Sequence, residues 1–206
     1  MNSVSDNPLF FPEEEDGIGM MAGNFDGSFV GIYADAISIA LANLAKITER
    51  RIDRLVNHHL SELPNFLVVN PGLNSGYMIP QYTAAGLLNE IRVLSHPATI
   101  DNIPTCANQE DVISFAYFAS RKAYRVSKKL EYILAIELMT ATQAMDFHLP
   151  LKPSPVTEGV YHLVRSEVPM VEEDRFFHPD IEAIYRQIHE GEIVKLVERA
   201  IGEIEF

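Results

Sequence analysis

A chain of 206 residues, 47% of them hydrophobic, can fill one medium core or form a slab of a larger assembly. Its formal charge of −13 excludes a surface built for nucleic acid or an anionic membrane, because phosphate binding depends on clustered Lys and Arg. Small solutes or protein partners suit it better. Met1 to Phe11 lacks the basic flank and apolar core of a signal peptide, and no run of about eighteen apolar residues marks a membrane span. The single cysteine, Cys106, can form no internal disulfide, so the chain reads as cytoplasmic.

In chain order, the opening from Asn2 to Phe25 is rich in Pro, Gly and acids, has no helical or strand period, and reads as loop. From Ser28 the apolar positions Ile37, Leu41, Leu44, Ile52 and Leu55 recur near helical spacing, predicting a long helix that ends before Pro64. Pro71, Gly72 and Gly76 mark a loop, and Met78 to Ser95 reads as a second helix that Pro80 starts or kinks. After the loop from Ala98 to Asn108, Val112, Phe115, Ala119, Ala123, Val126, Leu130 and Ile133 step by three or four residues. Without Gly or Pro before Pro150, this predicts the longest helix, Gln109 to His148. At 1.5 Å per residue it would span roughly 60 Å, more than a compact domain of this mass, and so needs neighbours from other chains. Shorter helices are expected at Thr157 to Ser166, Pro179 to Glu190 and Ile193 to Ile201. The fold class is therefore all-α, a long-helix bundle that is part of a larger assembly. Its organisation is a loop region (1–27), which the family resemblance given below marks as an active-site region, a long-helix core (28–150) and carboxy-terminal short helices (151–206), all in one structural unit.

Most polar clusters have plain structural readings. His58-His59 lacks a carboxylate at ligand spacing and no His-Glu-x-x-His occurs, so no metal site is expected. Gly17, Gly19, Gly23 and Gly27 follow no apolar strand and read as flexible loop, and the tract Glu13 to Asp16 as solvated loop. Arg121, Lys122, Arg125, Lys128 and Lys129 form a solvated face or a salt-bridging interface. Glu137 falls on the apolar stripe of the longest helix, where a carboxylate needs a structural partner. Thr105 to Asp111 stands apart. It gathers amides and carboxylates at the expected start of the longest helix, where free N–H groups and the dipole focus positive field; Asp111 or Asn108 as helix cap is the plain alternative.

Several segments resemble successive signatures of the aromatic amino acid ammonia-lyase family. They are Asn2-Ser3-Val4-Ser5-Asp6-Asn7-Pro8-Leu9, Gly23-Asn24-Phe25-Asp26-Gly27 and Glu49-Arg50-Arg51, then Gly72-Leu73-Asn74-Ser75-Gly76-Tyr77-Met78 and Gln81-Tyr82-Thr83-Ala84-Ala85. Ser95-His96-Pro97-Ala98, Asn102-Ile103-Pro104-Thr105 and Ala107-Asn108-Gln109-Glu110-Asp111 follow in order and spacing. Glu172-Glu173-Asp174-Arg175-Phe176-Phe177 and Pro179-Asp180-Ile181-Glu182 resemble the tail of the bacterial histidine branch. The chain thus resembles the carboxy-terminal part of such a lyase, less than half of a family member.

The resemblance implies elimination of ammonia from histidine, phenylalanine or tyrosine, with a methylidene-imidazolone electrophile made from an internal Ala-Ser-Gly. No Ala-Ser-Gly occurs here, so the electrophile, the base tyrosine and the carboxylate-binding arginine are expected on an upstream amino-terminal part. The isolated chain is expected to be inactive. The catalytic residues implied are Asn7 and Glu110. Asn7 matches the active-site asparagine, Phe25 the aromatic beside the prosthetic ring, and Gln109 and Glu110 the polar pair lining the side-chain pocket. A carboxylate at 110 can accept an imidazole N–H, where phenylalanine-specific relatives carry an amide, which favours histidine as substrate. Asp26 stands where the family usually has His or Gln, and Val112 where histidine enzymes usually have His. The resemblance further implies a homo- or hetero-oligomer, tetramer-like, with active sites drawn from several chains. A non-catalytic scaffold, or a lyase or aminomutase acting on phenylalanine or tyrosine, is the alternative.

Overall fold

The computed structural model describes residues 6–12, 16–21 and 25–205, and its architecture is all-α apart from one small hairpin. Where a loop is expected, β1 (Leu9–Phe11) pairs antiparallel with β2 (Ile18–Met20), Leu9 opposite Met20 and Phe11 opposite Ile18. The strands are too short to show a period, and Gly17 turns into β2 with φ +58°, a left-handed value glycine adopts without strain.

Helix α1 (Ser28–Val56) opens with the backbone N–H of Ser28 donated to the Asp26 carboxylate. The sequence suggests that it continues towards Pro64. Instead it stops at Val56, because the side chain of Asn57 accepts the N–H of His59 and caps a separate short helix, α2 (His58–Ser61). α3 (Met78–Leu94) carries Pro80 in its first turn, where no intrahelical N–H is lost. α4 (Ala116–Asp146) is the longest helix, but it starts seven residues after the expected Gln109. α5 (Pro155–Glu167) is capped by Ser154, with Pro155 at its first position. α6 (His178–His189) and α7 (Glu192–Ile201) are separated by Gly191 at φ +72°.

The helices fall into two compact units, residues 1–40 with 94–125, and 41–93 with 126–206. In the second unit Ile52, Leu67, Tyr77, Ile91, Ile133 and Ile184 are fully buried, and Gln143 satisfies the backbone within this core. Its amide donates to the carbonyls of Leu67 and Val171 at 3.0 and 2.9 Å and accepts the N–H of Val171 at 3.0 Å. Glu137 pairs with Arg51 on α1, which supplies the partner its place on the apolar stripe requires. The Asp174 carboxylate accepts the N–H groups of Ser75 and Gly76, and these hold it below the usual carboxylate range.

In the first unit α1 approaches the segment 94–125 closely. A Cβ on Gly31 would lie 2.8 Å from Thr99 Cγ2 and 3.1 Å from Ala116 Cα, so only glycine fits there. One turn on, Asp35 is buried on the same helix. Its Oδ2 accepts the N–H groups of Ala98 and Thr99 at 2.8 and 3.0 Å and the Thr99 hydroxyl at 3.0 Å. Its Oδ1 lies 3.1 Å from Lys122 Nζ on α4, and that ammonium also donates to the His96 carbonyl. Lys122 is thus a buried ion-pair member, the salt-bridging and not the solvated alternative that the sequence left open for its run. By length and composition alone α1 could cross a membrane. Yet its Asp35, Ser38 and Glu49 are buried against protein, as befits a packed helix.

Burial pushes the Asp35 carboxyl up, but Lys122 and the donors of Thr99 and Ala98 outweigh it, and the net displacement is downward. Its stabilisation is therefore present above the ordinary carboxylate range and lost as pH falls through the depressed folded value. Removing the carboxylate strands the Lys122 ammonium in the protein interior. Asp35→Ala should lower the unfolding free energy at pH 7 by about 3–5 kcal/mol in urea titrations, and Asp35→Leu with Lys122→Met should recover most of it. A loss below about 1 kcal/mol for the single variant contradicts a buried, mutually dependent pair.

Candidate active site

The loop that follows α3 is built outwards from this ion pair. Ser95 donates its hydroxyl to the Ser38 carbonyl at 3.1 Å, and Asp35 and Lys122 fix His96 to Thr99. Beyond Thr99 every residue from Ile100 to Val112 is exposed, so no core packing holds the chain there. Polar bonds do so instead. The Asn102 side chain donates to the Asp111 carbonyl and accepts the N–H of Ile113 at 2.7 Å, closing the loop at its neck. Further out, Thr105 and Glu110 exchange backbone hydrogen bonds of 2.8 and 3.3 Å as an antiparallel bridge.

Between them the chain makes a single left-handed turn. Cys106, Ala107 and Asn108 have φ of 51°, 55° and 67°, and the N–H of Gln109 returns to the Cys106 carbonyl at 3.2 Å. Left-handed conformation costs roughly 1–2 kcal/mol for each L-residue, with Asn the most tolerant. Such strain persists only where its surroundings over-determine it, and here the Thr105–Glu110 bridge and the Asn102 clasp do so. Phe115, at φ +47°, marks the last irregular residue before α4 begins.

This geometry corrects one expectation. Gln109, Glu110 and Asp111 do not sit at the start of α4, and neither Asp111 nor Asn108 caps it. The field of free helix N–H groups therefore does not act on Glu110. What the loop provides is a fixed backbone for two exposed polar side chains, and the Glu110 carboxylate has no hydrogen-bond partner among the described residues. An uncommitted carboxylate is an acceptor for N–H donors or cations.

The remaining site residues lie in the same compact unit. Asn7 is exposed just ahead of β1, its N–H bonded to the Asp6 carboxylate at 2.8 Å and its peptide to Pro8 cis. Phe25 is exposed just ahead of Asp26, whose carboxylate accepts the N–H and the hydroxyl of Ser28 at the start of α1. Asn2 to Ser5 and Gly23-Asn24 of the family-like signatures, and Glu13 to Glu15 of the acidic tract, lie outside the described residues. The chain thus brings Gln109 and Glu110 together on one loop. A polar groove of about 410 Å³ runs beside that loop, lined by Ser28, Ile32, Thr99, Asn102, Ile113 and Ser114. Sequence reasoning missed Asp35, Lys122 and Asn102 as its supports. The available signals were a carboxylate one helical turn after Gly31, the single charged residue between Ser28 and Ala45, and an Asn within a family-like signature.

Comparison with known proteins identifies the family of the chain. The aromatic amino acid lyase family model matches residues 1–166. The histidine ammonia-lyase of Symbiobacterium thermophilum is 47% identical over 205 residues, covering 100% of this chain and 40% of its own length. The crystal structure of histidine ammonia-lyase from Trypanosoma cruzi superposes with a TM-score of 0.90 at 44% identity, over 94% of this chain and 38% of that one. Tyrosine aminomutase from Streptomyces globisporus superposes with a TM-score of 0.89 at 36% identity, over 97% of this chain and 38% of that one. The chain therefore spans about two fifths of the length of such relatives. By these matches the chain belongs to the aromatic amino acid lyase family and groups with its histidine ammonia-lyases.

Proposed function

We propose that this chain supplies one part of a composite histidine ammonia-lyase active site, in which Glu110 accepts the imidazole N–H of the substrate and so selects histidine. The observation that carries this reading is the exposed, uncommitted carboxylate of Glu110 on a backbone fixed at considerable conformational cost. Gln109 beside it offers donors and an acceptor to the same side chain. Asn7 and Phe25 act near the electrophile, Asn7 by hydrogen bonding and Phe25 by contact with its ring. The methylidene-imidazolone supplies an electrophile that activates the substrate for loss of ammonia. It forms from Ala-Ser-Gly, which is absent from these 206 residues, so nothing in this chain makes it. The chain's own part is binding and orientation.

The rest of the site comes from a polypeptide carrying Ala-Ser-Gly, and the assembly is cytoplasmic and oligomeric. The surface of α1 supports a partner. Phe29, Tyr33, Ile37, Leu44 and Ile47 are all exposed and recur at helical spacing along one stripe, while Ala34, Ala45 and Ile52 are buried on another side. An apolar stripe left exposed along a helix whose opposite side is already buried is a surface that a partner can cover. Tyrosine aminomutase carries a second outcome on the same fold; a carboxylate gains nothing from the phenyl ring of phenylalanine, and the higher identity to histidine ammonia-lyases, 47% against 36%, favours histidine over tyrosine.

Two results test it. The purified chain should release no urocanate from histidine, followed by absorbance, and should do so when mixed with a polypeptide that carries Ala-Ser-Gly and completes the family length. Urocanate from the chain alone defeats the composite site, and stable assembly without activity points to a scaffold. In the assembled enzyme Glu110→Gln should lower kcat/KM for histidine by roughly ten- to a hundredfold, the loss of one charge-assisted hydrogen bond. Phenylalanine turnover should fall less, since it offers the carboxylate no N–H. Equal losses for both substrates contradict the role given to Glu110.

A further inference from the structure

We propose that Asn102 is the positioning residue for Glu110, a specificity-determining clasp that acts through the backbone; this rests on the proposed role of Glu110 in selecting histidine. Residues 100–112 are all exposed, so their conformation depends on polar bonds, and those bonds are unevenly placed. One end of the segment is anchored deep in the protein, where Asp35 takes the N–H groups of Ala98 and Thr99 and Lys122 takes the His96 carbonyl. At the other end α4 begins at Ala116. Between these anchors it is the side chain of Asn102 that spans the two arms of the loop, reading Asp111 and Ile113 at once, one as donor and one as acceptor.

That double contact mimics a strand neighbour. It sets the register in which Thr105 faces Glu110, and the Thr105–Glu110 bridge in turn forces the left-handed turn between them. Without the clasp, the bridge alone must hold Cys106, Ala107 and Asn108 against their preference for right-handed or extended backbone. The turn then relaxes, and the Glu110 carboxylate loses its fixed direction. Because Asn102 is exposed, this loss leaves the helical cores of both units intact. A displacement of the order of 1 Å in a substrate-orienting group lowers turnover by up to roughly a hundredfold.

Cys106, exposed and the only cysteine in the sequence, lies in the turn itself and takes a nitroxide label without further substitution. In the chain as purified, Asn102→Ala should change the electron paramagnetic resonance spectrum from slow, restricted motion to fast motion, with the urea unfolding midpoint unchanged. Asn102→Asp keeps the acceptor for the Ile113 N–H and replaces only the donor to Asp111, so its label should be intermediate. In the enzyme assembled with an Ala-Ser-Gly-bearing polypeptide, Asn102→Ala should lower the histidine-to-phenylalanine ratio of kcat/KM roughly tenfold, with Asn102→Asp again between. An unchanged label spectrum in Asn102→Ala overturns the proposal whatever the activity. A loosened label with an unchanged ratio upholds the clasp and contradicts the role of Glu110 in selecting substrate. If the assembled enzyme shows no turnover at all, the label arm decides the clasp by itself.

Discussion

Asp35 is a carboxylate buried on the apolar first half of α1, and the first compact unit is arranged around keeping it charged. Ala98 and Thr99 donate to it, Lys122 pairs with it, and the same ammonium also donates to the His96 carbonyl. A buried ion pair is not by itself a source of stability, because desolvation consumes most of the attraction. It does oppose alternatives, since any rearrangement leaves a charge unpaired in the interior. Helix α1, the segment after α3 and the first turns of α4 are thereby tied at one point. A long exposed loop can then leave that point in a defined direction without a hydrophobic core of its own.

That loop concentrates conformational cost beside Glu110, the residue proposed to meet the substrate. Consecutive left-handed residues other than glycine are an unfavourable way to turn a chain. Here they set the backbone at Glu110, and the exposed polar clasp of Asn102 carries the cost. Nothing in the arrangement fills the space in front of Glu110 from within the described residues, and nothing among them occupies the apolar stripe of α1. Both fit a chain that matches only part of the length of its relatives. A partner that covers the α1 stripe would also convert exposed polar groups into a dry pocket, where a single hydrogen bond to the substrate counts for more.

Much of the fold was legible because helical period is a strong signal in long segments. The interior positions from Val126 to Ile133, Pro179 at a helix start, and Glu137 in need of a partner all read correctly from sequence. Element boundaries were less legible, for specific reasons. Asn57 splits the first long helix because its side chain competes for a backbone N–H, and no period reveals that. The stretch Gln109 to Phe115 continues the apolar spacing of α4, yet Asn102 captures its backbone from a distance in sequence. Lys122 could be read only as one of a run of solvated or salt-bridging cations, because its partner Asp35 is remote in sequence. The position of Glu110 came through the family signature, whereas the pairing of Asp35 with Lys122 and of Asn102 with Asp111 and Ile113 joins residues that only the folded chain brings together.

Whether Glu110 of this chain meets the substrate's ring in a site completed by another polypeptide can be seen in a crystal structure of the assembled protein with urocanate bound. The Glu110 carboxylate should then lie within about 3 Å of an imidazole nitrogen, with the turn at Cys106 to Asn108 still left-handed. Urocanate bound without contact to Glu110, or with that carboxylate turned to solvent, would contradict the composite site proposed for this chain.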